Sequence, residues 1–342
     1  MQRFSKLPLF TTLCAALAQS PAWADEVTMA NGDRLTGTIL SKDDQVLVIR
    51  TEYAGEVKIR WVDVARLQSN DPVWIYLADG SKLHGRLQLA GDKTLAIDAG
   101  ENLRSGAIPV AEVRYINPPP ELSGEGVKLT GHANAGYASS SGNTDTEKWY
   151  LDAEAVARTR DNRYTLGGKS ARAEDRGVLT ESNWLGYMKY DHFLSRKWYA
   201  YANGNFENDE FKDIRLRTTL GIGSGYQFME EPRRNLSVEG GVSYVSTDFE
   251  LAEDDSYPAG RLAVKYDQFL FKTNIQFFHA DESYVDLQDS QNVFVRSSTG
   301  FRFPLVSRLN ATVQYDYDWE NQPAPGREKD DRTVRATLGI TW

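Results

Sequence analysis

At 342 residues the chain has room for one large or two ordinary domains, and 41% hydrophobic with 25% charged residues is enough to bury a core. After the first 24 residues no apolar run approaches the ~20 residues of a membrane helix, so a helical membrane protein is excluded. A net charge of -9 opposes binding to nucleic acid, whereas 11% aromatics without a long apolar run suits a membrane barrel, whose lipid face takes every second residue.

The chain opens with Arg3 and Lys6, an apolar stretch from Leu7 to Ala18, and Pro21-Ala22-Trp23-Ala24. This is the pattern of a secretory signal peptide, residues 1–24, cut after Ala24. The one cysteine, Cys14, lies inside it. The mature chain then has no disulfide framework, and losing Arg3 and Lys6 takes its net charge from -9 to -11.

Residues 25–117 hold an internal repeat. Asn31-Gly32-Asp33-Arg34-Leu35-Thr36-Gly37-Thr38-Ile39 matches Asp79-Gly80-Ser81-Lys82-Leu83-His84-Gly85-Arg86-Leu87, 48 residues on. Each copy opens on an Asn-Gly or Asp-Gly hairpin turn and continues with an alternating strand. The spacing predicts two small antiparallel β units of SH3-like or Sm-like type. With 11 basic and 14 acidic residues, this segment offers nothing to RNA and reads as a periplasmic packing or partner-binding module. Asn117-Pro118-Pro119-Pro120 then breaks any ladder, so residues 118–126 read as an exposed proline-containing linker.

From 127 to 342, alternating segments of about ten residues recur between turn signals. Twelve are predicted: 127–138, 147–158, 163–173, 183–193, 198–207, 215–228, 235–247, 257–267, 271–280, 292–303, 309–320 and 332–342. In the clearest, Leu309, Ala311, Val313, Tyr315, Tyr317 and Trp319 alternate with Asn310, Thr312, Gln314, Asp316, Asp318 and Glu320. One face suits lipid and the other a polar interior. A soluble sandwich would want larger inward residues and strands of ~5–6 residues, whereas a tilted membrane strand needs ~9–11. The fold expected is therefore all-β: a 12-stranded antiparallel outer-membrane barrel behind the two β repeats. The even count brings both barrel ends to the periplasmic side. Short turns carrying Arg160, Arg163, Arg196, Lys197, Arg233, Arg234 and Arg308 fall on that side. Longer acidic loops fall outside, with Glu207, Asp209, Asp248, Asp255, Asp281, Glu282 and Asp286 assigned to them. Leu338, Ile340 and the terminal Trp342 alternate like the signature read by the barrel-assembly machinery.

The barrel segment GHANAGYASSSGNTDTEKWYLDAEAVARTRDNRYTLGGKSARAED, and within it the G-x-x-S-S-S-G-N-T-D-T-x pattern from Gly136 to Glu147, resembles the salt-induced outer membrane protein family, also called domain of unknown function 481. The resemblance covers about 127–342. It implies location and fold and brings no activity, and the tandem repeat before it departs from the barrel-only pattern.

Chemistry is sparse. His84, His132, His192 and His279 form no zinc pair, and no calcium-loop spacing occurs. Asp191-His192 with Ser195 is the sole local hydrolase-like combination and fits a girdle residue and a turn better. His279 and His132 read as rim and lumen residues. No catalytic residue, metal or cofactor is expected. The interior says more. Asp316 and Asp318 should face inward between strands carrying Arg296 and Arg335. Glu239 lies between strands carrying Arg217 and Arg261 with Lys265, and Asp152 and Glu154 between those carrying Lys128 and Lys169. Opposite charges across a wall are favourable, and buried charges persist when paired, so a lumen crossed by ion pairs is expected. These readings favour a non-enzymatic envelope protein of structural or salt-stress role. Outer-membrane lipid would surround it, and its partner would be a periplasmic protein or the cell wall. A narrow channel for ions or small solutes is the alternative, and an outer-membrane lipid hydrolase a distant third.

Overall fold

The computed structural model describes residues 24–342, apart from 44, 92, 101–104, 143–144, 232 and 271–272. The expected signal peptide, apart from Ala24, lies outside the described residues. The chain divides into two compact units, one up to Pro118 and one from Pro119.

The N-terminal unit is one ten-stranded sheet: β1 (Asp25–Met29), β2 (Arg34–Lys42), β3 (Val46–Thr51), β4 (Gly55–Arg60), β5 (Val64–Gln68), β6 (Val73–Leu77), β7 (Lys82–Gly91), β8 (Thr94–Asp98), β9 (Ile108–Pro109) and β10 (Val113–Ile116). The two repeats do not form separate barrels. In each, the last strand returns to the first, β5 to β1 and β10 to β6, and then reaches the other copy. Ile116 of β10 pairs with Lys42 of β2, while Ser69 beyond β5 bonds Leu87 of β7. The exchange merges both apolar sets into one core, with Val27, Ile39, Leu47, Ile49 and Leu67 from one copy and Ile75, Leu87, Leu95, Ile97 and Ile116 from the other. Units this small are marginal when they must close a core alone. The repeated glycine has a steric reason: a Cβ at Gly37 would strike the Arg50 carbonyl, and one at Gly85 the equivalent Asp98 carbonyl.

After one helical turn, Pro120–Ser123, the second unit is a closed antiparallel barrel of twelve strands. They are β11 (Lys128–Ser140), β12 (Thr146–Arg158), β13 (Asn162–Asp175), β14 (Val178–Phe193), β15 (Trp198–Asp209), β16 (Ile214–Glu231), β17 (Arg234–Phe249), β18 (Asp255–Phe269), β19 (Gln276–Asp286), β20 (Val293–Val306), β21 (Leu309–Glu320) and β22 (Asp330–Thr341). We call the end where β11 begins and β22 finishes the near end, the other the far end. Alternation places Leu129, Leu151, Leu166, Met188, Leu220, Ile222, Val242, Leu262, Val313 and Leu338 outward and exposed. Aromatic pairs line the near-end rim of that wall: Tyr164–Tyr190, Trp198–Tyr226 and Phe277–Phe301, with centroids 5.1, 4.9 and 5.4 Å apart. Tyr244, Tyr315 and Trp319 stand toward the far end. An apolar girdle between aromatic belts is the lipid-facing surface of a membrane-spanning barrel.

Several strand boundaries differ from the sequence expectation, and those that take in acidic residues matter most. The ninth strand begins five residues later than residue 271 and runs to Asp286, because a turn bonded between Leu270 and Ile275 precedes it. Asp281, Glu282 and Asp286 are thus strand residues, not loop residues. Glu207, Asp209, Asp248 and Asp255 likewise belong to strands. Their acidity suggested loops, but a polar lumen accepts the inward ones, Glu207, Asp209, Asp255, Glu282 and Asp286, while Asp248 and Asp281 face outward.

Candidate functional site: the charged lumen

The inward positions build a charge network that spans the barrel. Its centre is Glu239 of β17, 6% exposed. Tyr199 OH donates to its Oε1 at 2.8 Å, Lys189 Nζ donates to the same oxygen, and Arg261 Nη1 donates to Oε2 at 3.0 Å. Arg261 Nε also donates to Glu282 at 2.7 Å, and Asn205 donates to the other Glu282 oxygen. In the opposite direction Lys189 lies 3.1 Å from Asp191, which is fully buried and accepts from Arg163 Nε at 2.5 Å; Arg163 Nη1 donates to Gln227. Inward glycines make the room. Tyr199 lies against Gly225, where a Cβ would collide with its ring.

Other contacts cross the open interior between walls that do not touch. Lys265 Nζ of β18 donates to Glu154 of β12 at 2.7 Å, six strands round the barrel. Tyr187 OH donates to the other Glu154 oxygen at 3.0 Å. At the far end Arg296 Nη2 donates to Glu207 at 2.6 Å and its Nε lies 3.7 Å from Asp318. Arg217 Nη1 donates to Glu320, five strands away. Arg335 donates to Asp316 from Nη1 and to Glu181 from Nη2, the latter at 3.2 Å, with its guanidinium over the Tyr150 ring. Lys212, in the far-end turn Glu210–Lys212, drops its ammonium between Asp318 and Asp331, 3.1 Å from each. Burial opposes that charge, yet Asp318, Glu207 and Asp209 outweigh it and raise the Lys212 pKa, so the plug stays cationic. A cavity of about 10 Å³ bordered by Lys212, Asp318, Glu320 and Asp331 has room for one water.

The residues singled out from the sequence are thus distributed as follows. Arg296 and Asp318 meet, as do Arg335 and Asp316. Glu239 meets Arg261 but not Arg217, whose partner is Glu320, and not Lys265, whose partner is Glu154. Asp152 accepts from Asn134 and lies 2.9 Å from His132. Lys169 faces Asp152 in register but lies 3.9 Å from Asp316. Lys128 is aligned with Arg158 at the near end, away from Asp152 and Glu154. Sequence reasoning missed Lys189, Asp191, Glu181 and Lys212, and it placed Arg163 in a turn. For those on strands, parity with Tyr187 or Lys169 was the available signal; Lys212 lies in the Glu210–Lys212 turn, where alternation gives none.

Asp191 and His192 point to opposite sides of the wall. Asp191 is sealed in the lumen network, while His192 is exposed outside with Nδ1 3.2 Å from Asn162. Ser195 accepts from Lys197 and Trp198 backbone in its turn. These three residues cannot form a relay. His279 also stands on the outer wall, not on the rim.

Fold and interior together define a twelve-stranded membrane-spanning β-barrel with a salt-bridged lumen. Residues 133–342 match the family described as "Protein of unknown function, DUF481", and the chain belongs to that family. It is similar to the uncharacterized protein YdiY of Escherichia coli (strain K12), 20% identical over 217 residues, which cover 62% of this chain and 82% of that protein. Among solved structures it is similar to the translocator domain of autotransporter NalP from Neisseria meningitidis: 13% identity, TM-score 0.33, 65% of this chain and 91% of that one. It is also similar to the outer membrane channel DcaP of Acinetobacter baumannii: 10% identity, TM-score 0.32, 63% of this chain and 97% of that one.

Proposed function

We propose that this protein is a non-enzymatic outer-membrane barrel that anchors a periplasmic β module, serving envelope structure or adaptation to salt stress. The observation that carries the reading is the set of direct ion pairs across the lumen, above all Lys265 to Glu154 between opposite walls. Such struts make the barrel a sealed anchor rather than a passage. The N-terminal sheet has its own core and would be presented to a periplasmic protein or the cell wall. The orientation follows from the chain entering and leaving the barrel at the near end, as in bacterial barrels with periplasmic termini. A narrow ion channel is the second reading, favoured by an interior rich in charged and polar side chains.

Protease added to intact cells should leave the N-terminal unit attached. After the outer membrane is permeabilised, cleavage within 118–126 should release a soluble fragment of about residues 25–117 and leave the barrel in the membrane. Release of that fragment from intact cells would place the module outside and refute the orientation.

A further inference from the structure

We propose that the outer wall at β19 and β20 is the interface on which two copies of this barrel pair in the membrane. Alternation on β19 sends Phe278, Glu282 and Tyr284 inward and His279, Asp281 and Ser283 outward. On β20 it sends Ser297 and Thr299 outward beside them, with Asp281 in register with Ser297 and His279 with Thr299. The row through Asp281 runs Trp198, Tyr226, Val238, Val264, Asp281, Ser297, Tyr317. It starts in the near-end aromatic belt and ends in the far-end one, so Asp281 sits midway through the apolar girdle. Other outward-facing ionisable side chains, Arg172, Asp248 and Arg332 among them, lie towards strand ends.

A carboxylate at that depth is costly against lipid, and intramembrane ionisable groups find partners. Within its own chain Asp281 Oδ1 is covered and accepts no hydrogen bond, so Oδ2 is the oxygen that a second chain can reach. The His279 Nδ1 is taken up by a 2.8 Å contact with Thr299 Oγ1, which leaves Nε2 as the ring nitrogen for a partner. The patch is self-complementary. A two-fold axis along the membrane normal keeps each residue at its own depth and makes the two β19 strands cross. Residues two apart are separated by ~7 Å along a strand tilted about 40°. The crossing therefore sets His279 opposite the partner subunit's Asp281 at the same lateral position, about 5 Å apart in depth, and the reciprocal pair forms on the other side of the axis. Ser283, Ser297 and Thr299 are small enough for the walls to approach. A second copy thus gives the half-buried His279 and Asp281 side chains a polar partner that lipid does not supply. The inference rests on the membrane-spanning barrel and not on whether its lumen conducts.

The test is cross-linking in native membranes, in a Cys14→Ser background. Ser283→Cys or Ser297→Cys, treated with a short bismaleimide, should give a homodimer adduct. Ala153→Cys, outward on the far wall, should not. Asp281→Ala and His279→Ala should each abolish the adduct, and exchanging the pair, His279→Asp with Asp281→His, should restore it. Heat-modifiable gel mobility of every variant separates loss of pairing from loss of the barrel, and Asp281→Asn, which keeps the side-chain shape, stands in if Asp281→Ala does not assemble. The proposal is overturned by adducts no stronger than the Ala153→Cys level, by an adduct whose mass shows a different protein, or by an adduct insensitive to Asp281 and His279 in assembled barrels.

Discussion

Trp342→Asp, or deletion of Asp330–Trp342, is expected to leave no closed barrel. Adjacent strands elsewhere in the wall share ten to sixteen residue pairs, as in β19–β20 and β16–β17. The closing seam between β11 and β22 has four, His132 with Thr341 to Ala135 with Leu338. It is extended at the near end by reciprocal backbone bonds between Gly131 and Trp342, both 3.1 Å. The Trp342 ring lies where a Cβ on Gly131 would stand, so the last residue fastens the shortest seam by both backbone and side chain. Open strand edges in hydrocarbon leave several kcal/mol of backbone hydrogen bonding unmade per group. The expected outcome is complete loss of the heat-modifiable folded form and of the variant from the membrane fraction. Normal mobility and fractionation would contradict it.

Glu239→Leu is expected to cost about 3–5 kcal/mol, because two buried cations each lose one of two carboxylate partners and a buried phenol loses its acceptor. Arg261 would retain Glu282 and Lys189 would retain Asp191, but Tyr199 would lose its acceptor inside the wall. Glu239→Gln keeps an acceptor and the shape and should cost less, about 1–3 kcal/mol. Urea unfolding of the barrel in lipid vesicles, followed by tryptophan fluorescence, measures both. A cost below ~0.5 kcal/mol for the leucine variant, the range of ordinary surface substitutions, would show that the network is not holding the interior.

The barrel was legible because its signal is redundant. Leu309 to Glu320 alternates without a fault, and a period of two survives small errors in strand ends. The ninth strand was misplaced because its outward face carries His279, Asp281 and Ser283, polar residues where the lipid pattern demands apolar ones. That departure is the feature that singles out the β19–β20 wall. The lumen was legible only between neighbours. Arg335 and Asp316 lie on adjacent strands and can be paired from sequence. Lys265 and Glu154 lie six strands apart, and their contact follows from barrel closure and radius, which alternation does not encode. In the N-terminal unit the repeat at 48 residues was plain, and Gly37 and Gly85 marked equivalent tight spots. The exchange of β5 and β10 between copies was hidden, since pairing within a copy and between copies satisfies the same apolar pattern.

The measurement that bears most directly on the sealed lumen is conductance of the purified protein in planar bilayers at moderate salt, wild type beside Arg296→Ser/Arg335→Ser. Wild type should show little or no current. The double variant removes the cations that face Glu207, Asp318, Asp316 and Glu181 at the far mouth. It should therefore open a cation-preferring conductance. Large, stable wild-type currents, or a double variant as silent as wild type, would contradict the account, the first by making the protein a channel and the second by showing that these arginines do not close it.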